Sequence, residues 1–403
     1  MVDLGINFAG LDFFNPFLLA ASPSTENREI LARGFEAGWA GGVIKTTSVE
    51  DDVVEMAWPI MSSHRPGVNM VGLHNTDLIS ETRIDGWAEN ILWLKQRFPE
   101  HRVILSIVGY TKDEWVELVT KAKQAGTDMV ELGLACPQGA MLDDEEQADG
   151  HMLCQDAMLT ERVTRWAKEA AGEMRVQVKI GSAVTDIAPI AQAIVRGGGD
   201  SICAIDSLGG VVGVDLYNLS PMPSVQGAAS MGGYTGRAIK PVGLRCVAEI
   251  AAAVNLPISA VGGIYNWRDA VEYMLLGGTT LQVCTAVMHR GFGIVDDLQD
   301  GMARWLTEKG FSNPAEIIGL SLPNLVDNEI LPRNLTVLSK INQELCVNCG
   351  LCHVACRDGG HMAILFTEDR KATVDDEKCV GCGLCAQICP VPGCITIEQI
   401  VNA

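Results

Sequence analysis

The stretch KCVGCGLCAQICPVPGC, at Lys378–Cys394, determines how the end of this chain folds, because four of its cysteines follow the spacing C-x2-C-x2-C-x3-C. The same spacing occurs once before, in LCVNCGLCHVACR at Leu345–Arg357. Nine of the 14 cysteines lie within Cys346–Cys394, and the other five are scattered over the preceding residues. A disulfide framework is unusual in a large chain that shows no export signal, so the crowded cysteines indicate metal ligation.

Two such runs are typical of two-cluster ferredoxins, in which the fourth cysteine of each run binds the cluster of the other run. The second run ends in Cys389-Pro390, as in the bacterial pattern, whereas Arg357 follows the first run. A zinc-binding domain is the alternative, and eight cysteines in this order argue against it. Cys394, the ninth, is interpreted as a small core thiol. The predicted ligands are Cys346, Cys349, Cys352 and Cys389 for one [4Fe-4S] cluster, and Cys379, Cys382, Cys385 and Cys356 for the other.

The preceding residues alternate short β-branched runs with helix-length segments. The predicted strands are Phe17–Ala21, Gly42–Thr46, Val103–Val108, Met129–Leu134, Val176–Ile180, Ser201–Ile205, Pro257–Val261 and Thr280–Cys284. Eight β/α units over ~250 residues are the size of a TIM (β/α)8 barrel. An open doubly wound sheet is the alternative, but the G-x-G-x-x-G fingerprint does not follow the first strand. We therefore predict an α/β protein with a barrel at 1–318, a linker at 319–342 and a ferredoxin-like domain at 343–403.

The composition excludes several classes of protein. Hydrophobic residues make up 48% of the 403 residues, enough for a large buried core. The net charge of −20 disfavours nucleic-acid binding, which needs clustered positive charge. No run of ~18 apolar residues predicts a membrane helix. The N-terminal residues show no basic segment followed by an apolar run, so we expect a cytoplasmic protein.

Small and polar residues follow the predicted strands, at the end of a barrel where active sites are built. The glycine pair after the seventh strand and Thr285 after the eighth fit a phosphate site, although an ordinary tight turn would also explain two glycines. Lys45 and Lys179 suit a flavin, whose reduced form needs a nearby positive charge; a salt bridge at the barrel rim is the alternative. Cys136 precedes Pro137 at a strand end and is a candidate general acid or base, the alternative being a buried structural cysteine.

The whole chain resembles the catalytic subunits of bacterial NAD-dependent dihydropyrimidine dehydrogenases, and its barrel is similar, more distantly, to dihydroorotate dehydrogenases. The matching stretches include Asn15–Phe17, Ile44–Thr46, Glu131–Gln138, Val178–Ile187, Tyr234–Arg245, Ala260–Ile264, Leu281–Met288 and Cys389–Ile397. The resemblance implies FMN at the barrel mouth, beside Ala20, Ala21, Lys45, Thr46, Lys179, Gly236, Gly262, Gly263, Cys284 and Thr285. It also implies that Cys136 protonates a substrate carbon next to the one that receives a hydride, with Lys179 as a second catalytic residue. Electrons would come through both clusters from a partner subunit that holds FAD and oxidises NAD(P)H, or from another low-potential donor, in a homo- or hetero-oligomer.

The substrate positions implied by the resemblance are Asn75, Gly133, Asp206 and Ser207, and here the chain departs from the family. Of the amide side chains that hold a pyrimidine, Asn75 keeps its type, while Gly133 and Asp206 replace asparagines. An ionised aspartate accepts hydrogen bonds and cannot donate them. The loop after Gln138 carries the acidic run at 143–146, interpreted as a solvated lid or, alternatively, as a selector of cationic substrates.

We therefore predict a flavin-dependent reductase of a C=C bond conjugated to a carbonyl in a small cyclic substrate, a pyrimidine or an analogue. A dihydroorotate-type dehydrogenase running in the oxidising direction is one alternative. The other is an electron-transfer component whose barrel does not react.

Overall fold

Eight parallel strands form a closed barrel in a computed structural model, which describes residues 2–49, 55–64, 70–135, 141–142, 146–147 and 152–400. The barrel strands are β1 (Phe17–Leu19), β2 (Gly41–Thr47), β3 (Arg102–Ile107), β4 (Met129–Gly133), β5 (Arg175–Ile180), β6 (Ser201–Ala204), β7 (Ile258–Val261) and β8 (Gly278–Val283). Neighbours in sequence are neighbours in the barrel, and β8 closes it by pairing with β1. The predicted TIM barrel is confirmed, and the doubly wound sheet is excluded.

Helices alternate with these strands, as the sequence predicts. They are α1 (Arg28–Glu36), α2 (Ile84–Arg97), α3 (Lys112–Ala125), α4 (Ala157–Ala171), α5 (Ala188–Gly197), α6 (Lys240–Ala253), α7 (Trp267–Leu275), α8 (Thr285–Arg290) and α9 (Ile294–Lys309). Local signals set the ends of α3: the Thr111 side chain accepts the Glu114 N–H, and Gly126 ends the helix at φ 83°. None of the described helices is both long and apolar enough to cross a membrane.

The core lies between the barrel strands and this ring of helices. Successive residues of the barrel strands are buried on both faces, as parallel strands covered by helices require. Three tryptophans, Trp39, Trp87 and Trp115, are completely buried against the outside of the barrel. The helices thus fix the strand ends from which the candidate site is built.

Two long connections place a small sheet beside the barrel mouth. It is antiparallel, in the order Leu208–Gly210, Gly232–Thr235, Gly72–Asn75, Met61–His64. Two of its strands come from the connection after β2 and two from the connection after β6. Short pairs elsewhere are Ile6–Phe8 with Leu11–Phe13, Met141–Leu142 with Glu146–Gln147, and Val214–Asp215 with Ser220–Pro221. Short 3-10 helices lie at Pro23–Thr25, Leu153–Gln155, Arg237–Ile239, Pro314–Ile317, Leu322–Asn324 and Asn328–Ile330.

The chain divides into two compact units, Met1–Asn324 and Leu325–Ala403. In the second, β9 (Thr336–Ile341) pairs antiparallel with β12 (Ile395–Ile400), and β10 (Ile364–Phe366) with β11 (Ala372–Val374). Its helices are α10 (Leu351–Asp358) and α11 (Leu384–Ile388). Part of the segment that we assigned to a linker, 319–342, is therefore a strand of this unit. Leu338 and Ser339 are the buried residues of this strand, and Ser339 contacts Cys379 and Cys385.

Candidate active site and cluster-binding unit

A cavity opens at the carboxyl ends of the barrel strands, under the small antiparallel sheet. Its volume is about 860 Å³, including space open to solvent. A narrower cavity of about 490 Å³ adjoins it and shares part of its wall. The shared residues are Ala21, Lys179, Asp206, Ser207, Thr235, Cys284 and Thr285. The barrel mouth therefore holds one elongated space with a wide and a narrow end.

Most of the predicted site residues line this space. Ala21, Lys45, Thr46, Asn75, Lys179, Asp206, Ser207, Cys284 and Thr285 line the wide cavity. Ala20, Gly236, Gly262 and Gly263 line the narrow one. Gly133 lies at the buried end of β4 and is not among the described lining residues of either cavity. Cys136 lies outside the described residues, as do Gln138 and residues 143–145; its neighbour Ala135 lines the wide cavity.

Lys179 extends from the end of β5 into the shared part of the cavity. Its Nζ is 3.7 Å from Asp206 Oδ2. Burial lowers the pKa of Lys179, but the charges of Asp206 and of Glu131 outweigh burial, so the pKa lies above its usual value. Lys179 is therefore a positively charged group at neutral pH in an almost closed place.

Lys45, at the end of β2, is held by two carboxylates. Its Nζ lies 3.0 Å from Asp77 Oδ1 and 3.2 Å from Glu26 Oε2. Burial raises the pKa of Asp77, and the Lys45 charge opposes that rise. Lys45 thus both lines the cavity and forms the salt bridge that was the alternative interpretation. Neither of its partners was singled out from the sequence.

Three glycines shape the narrow end. Gly236, Gly262 and Gly263 have φ angles of 90°, 128° and 73°, in the region that favours glycine. A Cβ on Gly263 would lie 2.9 Å from the backbone nitrogen of Lys240. This close backbone approach is what a phosphate cradle needs. The buried Tyr265 hydroxyl, which lines the same cavity, has no hydrogen-bond partner among the described residues.

These features fit FMN. The glycine-lined narrow end suits a phosphate ester, and the wide end with its charged Lys179 suits the ring system. At the wide end, Asn75 is already engaged: its Nδ2 donates to the Gly233 carbonyl at 3.1 Å. Thr285 Oγ1 donates to Thr235 Oγ1 at 3.0 Å, which joins the end of β8 to the small sheet.

A polar layer inside the barrel was missed by the sequence reasoning. The fully buried Glu131 Oε2 accepts hydrogen bonds from Gln177 Nε2 at 2.6 Å and from Gln282 Nε2 at 3.2 Å. Gln282 Nε2 also donates to Ser259 Oγ at 3.1 Å. The available signal was a glutamate in the middle of the apolar strand MVELGL, since a buried charge requires partners.

Five cysteines of the second unit line one small cavity. Its volume is about 340 Å³, and the five are Cys346, Cys349, Cys352, Cys389 and Cys394. The fourth predicted ligand from the other run, Cys389, therefore lies beside the first three, which is the crossed arrangement of a two-cluster ferredoxin. Cys394 borders the same cavity and is buried in the core, as expected for a ninth thiol.

The other predicted ligands lie near β9 and α10. Ser339 Oγ is 3.2 Å from Cys385 Sγ, and the Ser339 N–H donates to Cys379 Sγ at 3.5 Å. Burial raises the pKa of Cys385, and the neighbouring Cys382 and Cys379 add to the rise. Cys356 Sγ accepts the Ala363 N–H at 3.3 Å. Within the described residues no group of three or more His, Cys, Asp or Glu side chains converges on a point where a single metal ion could be held.

Comparison with known proteins gives two family matches. The model of the dihydroorotate dehydrogenase family matches residues 3–306, and that of the 4Fe-4S dicluster domain matches residues 339–397. These two ranges correspond to the barrel and to the Cys-rich unit.

Curated relatives cover most or all of the chain. It is 35% identical over 404 residues to the NAD-dependent dihydropyrimidine dehydrogenase subunit PreA of Escherichia coli (strain K12), covering 99% of this chain and 96% of that protein. It is 31% identical to the chloroplastic dihydropyrimidine dehydrogenase (NADP(+)) of Arabidopsis thaliana, over 79% of this chain and 77% of the relative. It is also 31% identical to the catalytic subunit of dihydroorotate dehydrogenase B (NAD(+)) of Thermococcus kodakarensis, over 79% of this chain and 98% of the relative.

Proposed function

Because this chain belongs to the dihydroorotate dehydrogenase family and also carries a 4Fe-4S dicluster domain, we propose that it reduces a C=C bond conjugated to a carbonyl in a cyclic, pyrimidine-like substrate. It is an oxidoreductase that acts on CH–CH groups, with FMN and two [4Fe-4S] clusters as its cofactors. The observation that carries the substrate proposal is the 35% identity to PreA, which spans both units.

The residues of the barrel mouth have separate tasks in this reaction. Gly236, Gly262 and Gly263 hold the phosphate of FMN, since all three line the narrow cavity and glycine lets a backbone N–H group approach a phosphate. When bound, FMN supplies the hydride that reduces the C=C bond. Lys179 stabilises negative charge at the wide end of the cavity, because Asp206 and Glu131 keep it protonated.

Cys136 is the proposed proton donor. A hydride adds to one carbon of the double bond, and a proton must then reach its neighbour to complete a two-electron reduction. Ala135, the residue directly before Cys136 in the sequence, lines the wide cavity. The thiolate left behind regains a proton from solvent.

The clusters serve to deliver electrons one at a time. We assign their source to a partner subunit that contains FAD and oxidises NAD(P)H, and the NAD dependence in the name of the Escherichia coli relative supports this assignment. The word "subunit" in the names of two of these relatives supports an assembly with a second chain.

A dihydroorotate-type dehydrogenase is the second candidate, favoured by the match to the Thermococcus kodakarensis protein. That match uses 98% of the relative but 79% of this chain, so the cluster-binding unit has no counterpart there. The presence of this unit favours the pyrimidine-reducing relative.

The test is turnover of uracil by anaerobically purified protein with reduced methyl viologen as electron donor. The Cys136→Ala variant should keep its FMN and iron but lose turnover, whereas Cys246→Ala, which removes a buried thiol of α6, should retain it. Unchanged turnover in Cys136→Ala would remove the acid role. Oxidation of dihydroorotate without reduction of uracil would favour the second candidate, and FMN that neither substrate reoxidises would favour a barrel that does not react.

A further inference from the structure

The two lysines of the wide cavity are each neutralised by carboxylates. Lys45 lies between Glu26 and Asp77, both within 3.2 Å of its Nζ. Lys179 pairs with Asp206. Glu131, a buried residue of β4, adds a second negative charge that acts on Lys179. Each lysine therefore has a carboxylate partner, so an anionic substrate group that approaches either lysine also meets negative charge.

Asp206 is the carboxylate that borders the space itself. It follows β6, lines both the wide and the narrow cavity, and its side chain is 33% exposed. Oδ1 accepts the Ser207 N–H at 2.7 Å, and Oδ2 lies 3.7 Å from Lys179 Nζ, beyond hydrogen-bond distance. Oδ2 is thus an acceptor at the cavity wall that a substrate can still reach.

A side chain that can only accept hydrogen bonds discriminates between ring substrates by the donors and acceptors along the ring edge that faces it. A carboxylate binds two adjacent N–H groups, as in a cyclic amidine, with both oxygens or one shared oxygen. Every N–H group of uracil is flanked by a carbonyl, and a carbonyl oxygen opposite a carboxylate is left without a donor. A ring carboxylate, as in orotate, would meet like charge.

We propose that Asp206 makes this cavity selective for cyclic substrates that present adjacent N–H donors, either neutral or cationic, over carbonyl-edged rings and ring carboxylates. The inference rests on the proposed function, because it concerns the substrate of the same site. It narrows the substrate class from pyrimidines in general to rings with an amidine-like edge.

Isothermal titration calorimetry on the FMN-loaded full chain tests this with three probes: isocytosine, uracil and orotate. Isocytosine has a ring N–H next to its amino group, while its size matches that of uracil. The wild-type protein should bind isocytosine about tenfold or more tightly than uracil, and orotate most weakly. Asp206→Asn should abolish this preference, because the amide can donate to a carbonyl. Asp297→Asn, a change of the same kind at an exposed ion pair of α9, should keep the wild-type order.

Equal binding of isocytosine and uracil by the wild-type protein would overturn the inference, whatever the variants do. So would an isocytosine preference that survives in Asp206→Asn. Reduction of uracil by a protein that shows either result would leave the proposed function standing and remove the selectivity alone. A protein that neither binds any of the three rings nor turns over uracil would overturn both.

Discussion

Replacing Glu131 by leucine should destabilise the barrel strongly, although the two side chains are of similar size. Glu131 Oε2 is the acceptor for Gln177 Nε2 and Gln282 Nε2, and all three residues are essentially inaccessible to solvent. Each buried donor left without an acceptor costs about 1–3 kcal/mol, so two donors cost about 2–6 kcal/mol. Burial of the added apolar surface returns roughly 1–2 kcal/mol of this. The difference is about 0–5 kcal/mol, and we expect a net loss near its middle, about 2–3 kcal/mol, in the free energy of unfolding.

Urea unfolding followed by tryptophan fluorescence measures this loss of stability in the barrel. All eight tryptophans precede residue 325, so the signal reports on the barrel and not on the cluster-binding unit. At an m-value of about 2 kcal/mol/M, the midpoint should fall by about 1 M.

Two further variants test whether the loss of stability comes from the buried hydrogen bonds of Glu131 or from the replacement of any glutamate. Glu131→Gln keeps an oxygen acceptor and should lose less stability than Glu131→Leu. Glu117→Leu, at an exposed ion pair of α3, should change stability by less than about 0.5 kcal/mol. If Glu131→Leu were as stable as the wild-type protein, the network would not be the stabilising interaction described above.

Three other predictions concern the flavin end, pH and the clusters. Gly263→Ala should lose bound FMN, because its Cβ would lie 2.9 Å from the backbone nitrogen of Lys240. Gly126→Ala, at a similar positive φ but with open space around it, should keep its FMN. Equal flavin absorbance in the two variants would refute the role of Gly263 in the phosphate site. Burial lowers the pKa of His101 below its usual 6.5, so the neutral ring stabilises the fold fully above pH 6.5, and this stabilisation is lost as the pH falls from 6.5 toward the lowered pKa. His101→Gln should therefore lose less stability than the wild-type protein when the pH is lowered from about 7.5 to about 5.5. Equal losses of stability in the two proteins would refute this prediction. Cys382→Ser should reduce the iron content, whereas Cys394→Ser should not, which iron analysis of both variants checks.

The strands could be predicted because their apolar, β-branched runs are long enough to be unambiguous. Each predicted strand is present, with ends that differ by two residues or fewer. The strand Thr336–Ile341 was assigned to a linker because its partner, Ile395–Ile400, lies more than 50 residues away in sequence. Pairing over such a distance leaves no local signal.

The site was predictable where a residue type alone implies chemistry. The lysines, the glycine pair and the threonine that we predicted at strand ends line the two cavities. The two carboxylates that pair with Lys45 were missed, since Glu26 and Asp77 lie in connections whose path is set by tertiary packing. Glu131 was visible in the sequence, but its partners Gln177 and Gln282 come from other strands, and only closure of the barrel brings them together.

One chain should hold a flavin in its barrel and two iron–sulfur cubanes in its second unit. Chemical analysis of anaerobically purified protein tests it directly, by counting flavin, iron and acid-labile sulfide per chain. We expect one FMN with about eight iron and eight sulfide ions, the content of two [4Fe-4S] clusters. A colourless protein that contains zinc, and that takes up neither flavin nor iron on anaerobic reconstitution, would contradict it.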